Sequence, residues 1–172
     1  VALVGEMLPV DAITIDRLLD SMGAAAGPVV PTREWRELYG ALDCKVGAMI
    51  HPFYAATARQ FRAAGRPLVG SAPVGVEGTA AWLEAMGAVL GADKASIDAA
   101  ISTQKSAIRA ALDNNPIDAK ITLSGYEGSE LLVARLLIES GADVAYVGSA
   151  CPKTEFSACL LYTSPSPRDL ST

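Results

Sequence analysis

Residues 45–71 read KVGAMIHPFYAATARQFRAAGRPLVGS, and this stretch decides the fold. Residues 45–50 form an apolar run that stops at His51-Pro52, residues 53–64 suit a helix closed by Gly65, and residues 67–71 turn apolar again. A strand, a helix of that length and a second strand in succession describe a parallel crossover, because two parallel strands need roughly a dozen residues to connect them.

The same unit recurs on the N-terminal side. Residues 1–5 read as a buried strand, and Ile15, Leu18, Leu19 and Met22 then follow at i, i+3, i+4 and i+7, with Asp11 as N-cap and Gly23 as stop. Residues 27–30 give a short second strand, Thr32 can cap the next helix, and Trp35, Leu38, Tyr39 and Leu42 repeat the helical spacing. Residues 1–72 are therefore expected to form a Rossmann-like domain, a parallel sheet covered on both faces. A chain that opens directly on a buried strand is expected to begin inside a longer protein.

On the other side the character changes. Residues 73–78 are rich in turn formers, and residues 79–90 then place Trp82, Leu83, Met86 and Leu90 on one side of a helix. A second helix over about 94–112 carries the seam Ile97, Ile101, Ile108 and Leu112 and ends at Asn114-Asn115-Pro116. Residues 73–118 thus read as a helical connector. A strand at 120–124, a Leu-rich helix closed by Gly141 and a strand at 143–148 make residues 119–158 the start of a second Rossmann-like domain. Residues 159–172 hold two Ser-Pro steps and no periodicity, and are expected to be foreign to the fold. Their string CLLYTSPSPRD resembles translated sequencing-adapter read-through, which would make Cys159 an artefact.

Composition narrows the function classes. The 172 residues are 51% hydrophobic and 19% charged, enough for a buried core. A net charge of -5, with the 14 Lys and Arg scattered singly, leaves no basic stripe for a nucleic acid backbone. No apolar run reaches the roughly 18 to 20 residues of a membrane span, and the start lacks a basic secretory n-region, so a cytoplasmic location is expected. The three cysteines, Cys44, Cys151 and Cys159, form no CxxC pair, and reduced thiols are expected. Cys44 precedes a strand and is expected to be buried.

Open α/β sheets bind ligands beyond the carboxyl ends of their strands, where loops vary and helix N-termini offer free N–H groups. The candidates are Glu6-Met7, His51-Pro52, residues 71–78, Tyr126-Glu127-Gly128 and Cys151-Pro152. Val4-Gly5-Glu6 is not followed by GxGxxG, and Met7, Leu8 and Pro9 fill the turn that a pyrophosphate would need open. A GxxxxGK[ST] loop is absent as well, so nucleotide chemistry would have to come from a partner. His51, the sole histidine, can donate a proton near neutrality or be a satisfied structural residue. Glu127 can face a site or serve the N-terminal dipole of the helix after it, and Tyr126 can line an apolar pocket or simply pack. One thiol cannot hold an iron–sulfur cluster, which needs about four ligands.

Five long runs carry a resemblance: VGEMLPVD, GPVVPTREWRELYGALDC, IHPFYAATARQFRAAGRP, GSAPVGVEGTAAWLEA and SGYEGSELLVARLLIESGADVAYVGSACPKT. Together they span nearly all of residues 1–158 and resemble the Y subunits of chlorophyllide a reductase, a branch of the nitrogenase component 1-like family. More distantly the chain resembles the N subunit of dark-operative protochlorophyllide reductase, through HPF followed by TAR and later EGTxAWL. A non-catalytic scaffold holding a tetrapyrrole or metal cofactor is the remaining alternative.

The resemblance implies a heterotetramer of Y and Z subunits in bacteriochlorophyll biosynthesis. An ATP-Mg-hydrolysing X subunit, similar to the nitrogenase iron protein, would send it electrons through a 4Fe-4S cluster to reduce the C7=C8 bond of chlorophyllide a. It also implies that the cluster cysteines precede Val1, that Z supplies the remaining ligand, and that this piece alone is inactive. His51 falls by the loop that carries a cofactor ligand in nitrogenase, and Tyr126 and Glu127 fall by another cofactor-facing loop. On that basis His51, Tyr126, Glu127, Gly75 and Glu77 are expected to line the chlorophyllide cavity, with no metal ligand among them.

Overall fold

The computed structural model describes residues 1–6 and 10–149. Strands β1 (Ala2–Val4), β2 (Val29–Val30), β3 (Gly47–Met49) and β4 (Leu68–Gly70) form one parallel sheet in the order β2-β1-β3-β4. Helices α1 (Ala12–Asp20), α2 (Trp35–Asp43) and α3 (Ala55–Ala63) make the crossovers.

Alternation along the strands sends successive side chains to opposite faces. Leu3 and Ala48 therefore join Ile15, Leu18 and Leu19 of α1 in one core, while Ala2, Val4 and Met49 join Ala41 of α2 and Ala58 and Phe61 of α3 in the other. Both faces are covered, as a parallel sheet requires. Because β1 pairs with β2 on one side and β3 on the other, the winding direction reverses between β1 and β3. A crevice opens there at the carboxyl ends of the strands.

Helices α4 (Val76–Leu90) and α5 (Lys94–Asp113) extend the first core with Trp82, Leu83, Met86, Ile97 and Ala100. They approach closely because Gly87 has no Cβ, which would stand 2.5 Å from Cγ1 of Ile97. Strands β5 (Lys120–Gly125) and β6 (Asp143–Ser149) form a second parallel pair, linked by α6 (Glu130–Glu139). Leu132 of α6 is fully buried in the first core and ties this second unit to it.

Several local expectations differ from the structure. Helix α4 starts at Val76, three residues before the Thr79 suggested by the turn-like composition of residues 73–78. The reason lies far away in sequence: the Glu139 carboxylate accepts the N–H groups of Val76 (2.5 Å) and Glu77 (3.3 Å), supplying the cap that the local sequence lacks. Thr32 is not the cap of α2, which begins at Trp35 behind Glu34, and the N–H of Arg33 donates instead to Glu37 at 3.1 Å. Nor does α2 bury its whole apolar stripe. Leu38 and Ala41 meet the sheet, and Trp35 and Tyr39, rotated off that face, are 79% and 74% exposed. Cys44 is half-buried, its thiol 3.5 Å from the Gly40 carbonyl. Cys151, Pro152, Cys159 and the segments Met7-Leu8-Pro9 and 159–172 lie outside the described residues. Among the described residues no helix is long and apolar enough to cross a membrane.

Candidate functional site

A cavity of about 660 Å³ occupies the crevice between β1 and β3. Such a volume lies inside the roughly 300–1,000 Å³ range of small-molecule and cofactor sites. Leu3, Val10, Ala12, Ile15, Val29 and Ile50 give it apolar walls, and Gly5, Glu6, Asp11, His51, Glu127 and Ser129 supply the polar positions. Gly5, Glu6 and His51 follow strands of the first sheet, whereas Glu127 and Ser129 follow β5. The site is thus assembled from both α/β units.

Close backbone approach makes this convergence possible. Gly5 adopts φ +85°, and a Cβ there would lie 2.3 Å from Cβ of His51 and 3.1 Å from the Tyr54 ring. Gly128 adopts φ +79°, and a Cβ there would lie 2.9 Å from Cγ of Pro52. Both glycines hold conformations that L-residues adopt only with strain, and both bring their loop against the His51-Pro52 loop. The His51 ring is held between neighbours, 5.1 Å from Phe53 and edge-on to Tyr54 at 5.8 Å between ring centroids. Its Nδ1 accepts the N–H of Phe53 at 3.2 Å.

Asp11 caps the N-terminus of α1 beside the cavity. The Asp11 carboxylate accepts the N–H and hydroxyl of Thr14 at 2.9 and 2.8 Å, and these bonds hold its pKa below the ordinary aspartate value. The Asp11 carboxylate places a negative charge at this helix end, which disfavours a phosphate there.

Glu130 is the residue that the sequence reading missed. It is 7% exposed, and its carboxylate accepts the N–H of Glu127 at 2.8 Å and the hydroxyl of Ser149 at 2.6 Å. Burial works against its charge, but the Ser149 hydroxyl and the backbone N–H groups of Glu130, Glu127 and Gly128 outweigh it and hold the pKa below 4.5. The carboxylate clasps the Glu127 loop to the end of β6 and so sets the cavity wall. Gly125 leaves room for it, since a Cβ there would lie 2.5 Å from Oε1 of Glu130. The available signal was the pair Gly125 and Gly128 bracketing a short loop directly before an acidic first turn.

A depressed folded-state pKa has a definite sign. The Glu130 carboxylate contributes stability above its unfolded pKa, and that contribution is lost as pH falls through the lower folded value. Urea midpoints of the wild-type chain should therefore fall on acidification below about pH 4.5. Glu130→Gln should show a lower midpoint at pH 7, by about 1–3 kcal/mol, and a flatter acid limb. A wild-type acid limb identical to that of Glu130→Gln would show that the clasp does not operate.

The other expected residues are distributed as follows. His51 and Glu127 come together at the cavity, whereas Tyr126, one position away, is 83% exposed and is absent from its lining. Gly75 and Glu77 sit at the start of α4, where a Cβ on Gly75 would strike the Glu139 carboxylate at 2.5 Å and Glu77 pairs with Lys105 at 3.0 Å. Among the described residues no group of three or more His, Cys, Asp or Glu could hold a metal ion, so those residues do not fit an iron–sulfur cluster.

Comparison with known proteins places this geometry in context. The family described as nitrogenase component 1 type oxidoreductase matches residues 1–163. The chain is 61% identical over 158 residues to the chlorophyllide reductase 52.5 kDa chain of Cereibacter sphaeroides, covering 92% of this chain and 32% of that protein. It is 58% identical over 158 residues to the protein of the same name from Rhodobacter capsulatus, with the same coverage of 92% and 32%. The chain therefore spans about a third of the length of the curated relatives it matches.

Proposed function

The chain belongs to the nitrogenase component 1 type oxidoreductases, and from that premise we propose that it forms part of the Y subunit of a chlorophyllide a reductase, its cavity receiving one edge of the chlorophyllide macrocycle. The observation that carries this reading is the cavity at the β1/β3 reversal, where His51 and Glu127 converge from two separate units in a chain so similar to chlorophyllide reductase subunits. Its apolar walls suit the flat hydrocarbon face of a tetrapyrrole, and its polar positions suit the peripheral oxygens.

On this reading the reaction is reduction of the C7=C8 bond, in a complex with a Z subunit. Electrons come from an ATP-dependent, iron-protein-like partner through a 4Fe-4S cluster held elsewhere in the complex. The part played by this chain is to bind and orient the pigment and to exclude water from one edge of it.

Replacing His51 by alanine and Glu127 by glutamine in the full-length complex tests the proposal. Each variant should reduce chlorophyllide about tenfold more slowly, as loss of a ligand hydrogen bond dictates, with cluster content and assembly unchanged. Wild-type turnover in both variants would remove the cavity from the substrate path.

A further inference from the structure

We infer that His51 serves this cavity as a fixed hydrogen-bond donor through Nε2–H, and that its partner is a carbonyl oxygen of the ligand, a ketone or an ester, and not a metal ion. The identity of the ligand rests on the tetrapyrrole reading above; the direction of the hydrogen bond does not.

A backbone N–H can only donate, so the 3.2 Å contact from Phe53 N–H commits Nδ1 of His51 to its lone pair. A neutral imidazole carries one ring proton, and that proton must then sit on Nε2. The rings of Phe53 and Tyr54 pack beside the imidazole in this orientation, with centroids 5.1 and 5.8 Å away. Among the described residues Nε2 has no acceptor, which leaves the donor for whatever enters the cavity. A metal ion on Nε2 would require the ring proton to move to Nδ1, where it would face the Phe53 N–H and break that contact.

Charge narrows the acceptor further. Glu6, Asp11 and Glu127 line the same cavity, so a phosphate or free carboxylate on the ligand would meet three like charges. A conjugated ketone or an ester carbonyl accepts a hydrogen bond without that repulsion, and both suit a pigment lying against apolar walls.

In the histidine-labelled full-length complex, the imidazole nitrogen signals that disappear in the His51→Gln variant belong to His51 and report its tautomer. The Nε2–H form is expected, unchanged by an equivalent of Zn²⁺. An Nδ1–H form, or a ring that binds Zn²⁺, overturns the inference.

A second arm uses the same complex. Glutamine at position 51 keeps an N–H donor near Nε2, whereas asparagine reaches only the Nδ1 position. His51→Gln should keep KM for chlorophyllide within about twofold of wild type, and His51→Asn should raise it about tenfold. The opposite order overturns the inference, and so does an equal KM in the two variants. If the His51→Ala and Glu127→Gln variants are silent as well, the tetrapyrrole reading fails together with the carbonyl contact.

Discussion

Gly5→Ala is expected to destabilise the protein by about 2–5 kcal/mol and to drive His51 out of the cavity. Two separate effects add. The residue adopts φ +85°, where an L-residue pays roughly 1–2 kcal/mol, and its Cβ would stand 2.3 Å from Cβ of His51. That neighbour is the root of a side chain and not its flexible end, so the β3 loop itself must shift, at a typical overpacking cost of about 1–3 kcal/mol. Urea denaturation would measure the loss. Gly23→Ala provides the control, because Gly23 has φ +71° but nothing within 4 Å of its Cβ position. Gly23→Ala should thus show the conformational part alone. Equal losses at the two positions would mean that the close approach of β1 to the His51 loop contributes nothing.

Leu132→Ala should cost about 2–5 kcal/mol, as large-to-small changes in a packed core do. Leu132 is 0% exposed, and it belongs to the same core as Leu3 and Ile15 although it sits on the helix of the second unit. Its loss should therefore loosen the docking of that unit, and with it the Glu127 loop that closes one side of the cavity. Hydrogen exchange should rise in β5, β6 and α6 well before it rises in β1 and β3. Ile138, on the same helix but 53% exposed, supplies the comparison, and Ile138→Ala should change stability by no more than about 0.5 kcal/mol. A penalty at Leu132 as small as that at Ile138 would show that the two units meet without relying on this contact.

Local pattern carried much of the architecture. Asp11 caps α1 as its position before Ile15 and Leu18 suggested, Gly23 and Gly65 take positive φ just past their helices, and the four expected strands of the first sheet pair in parallel. Such features depend on residues within a turn or two of each other, and sequence spacing encodes them directly. Long-range partners were not legible in the same way. Nothing near Val76 announces that Glu139 will cap it, and nothing near Glu127 announces that Glu130 and Ser149 will hold its loop. The outward face of α2 escaped for a related reason. Trp35, Tyr39 and Leu42 have helical spacing as good as that of any buried seam, and only the sheet decides which stripe faces it.

Sequence by itself therefore determined the alternating strands and helices, the strand-end loops as candidates for ligand contact, and, through long runs of resemblance, a nitrogenase-like identity. Tertiary structure alone decided that the His51 and Glu127 loops share one cavity, that Tyr126 is exposed and outside its lining, and that Gly75 and Glu77 sit against the Glu139 carboxylate. The physical reason is range: helix period and capping act across a few residues, whereas a cavity is defined by side chains more than a hundred positions apart. Their meeting depends on strand order and on two glycines without side chains to keep the loops apart.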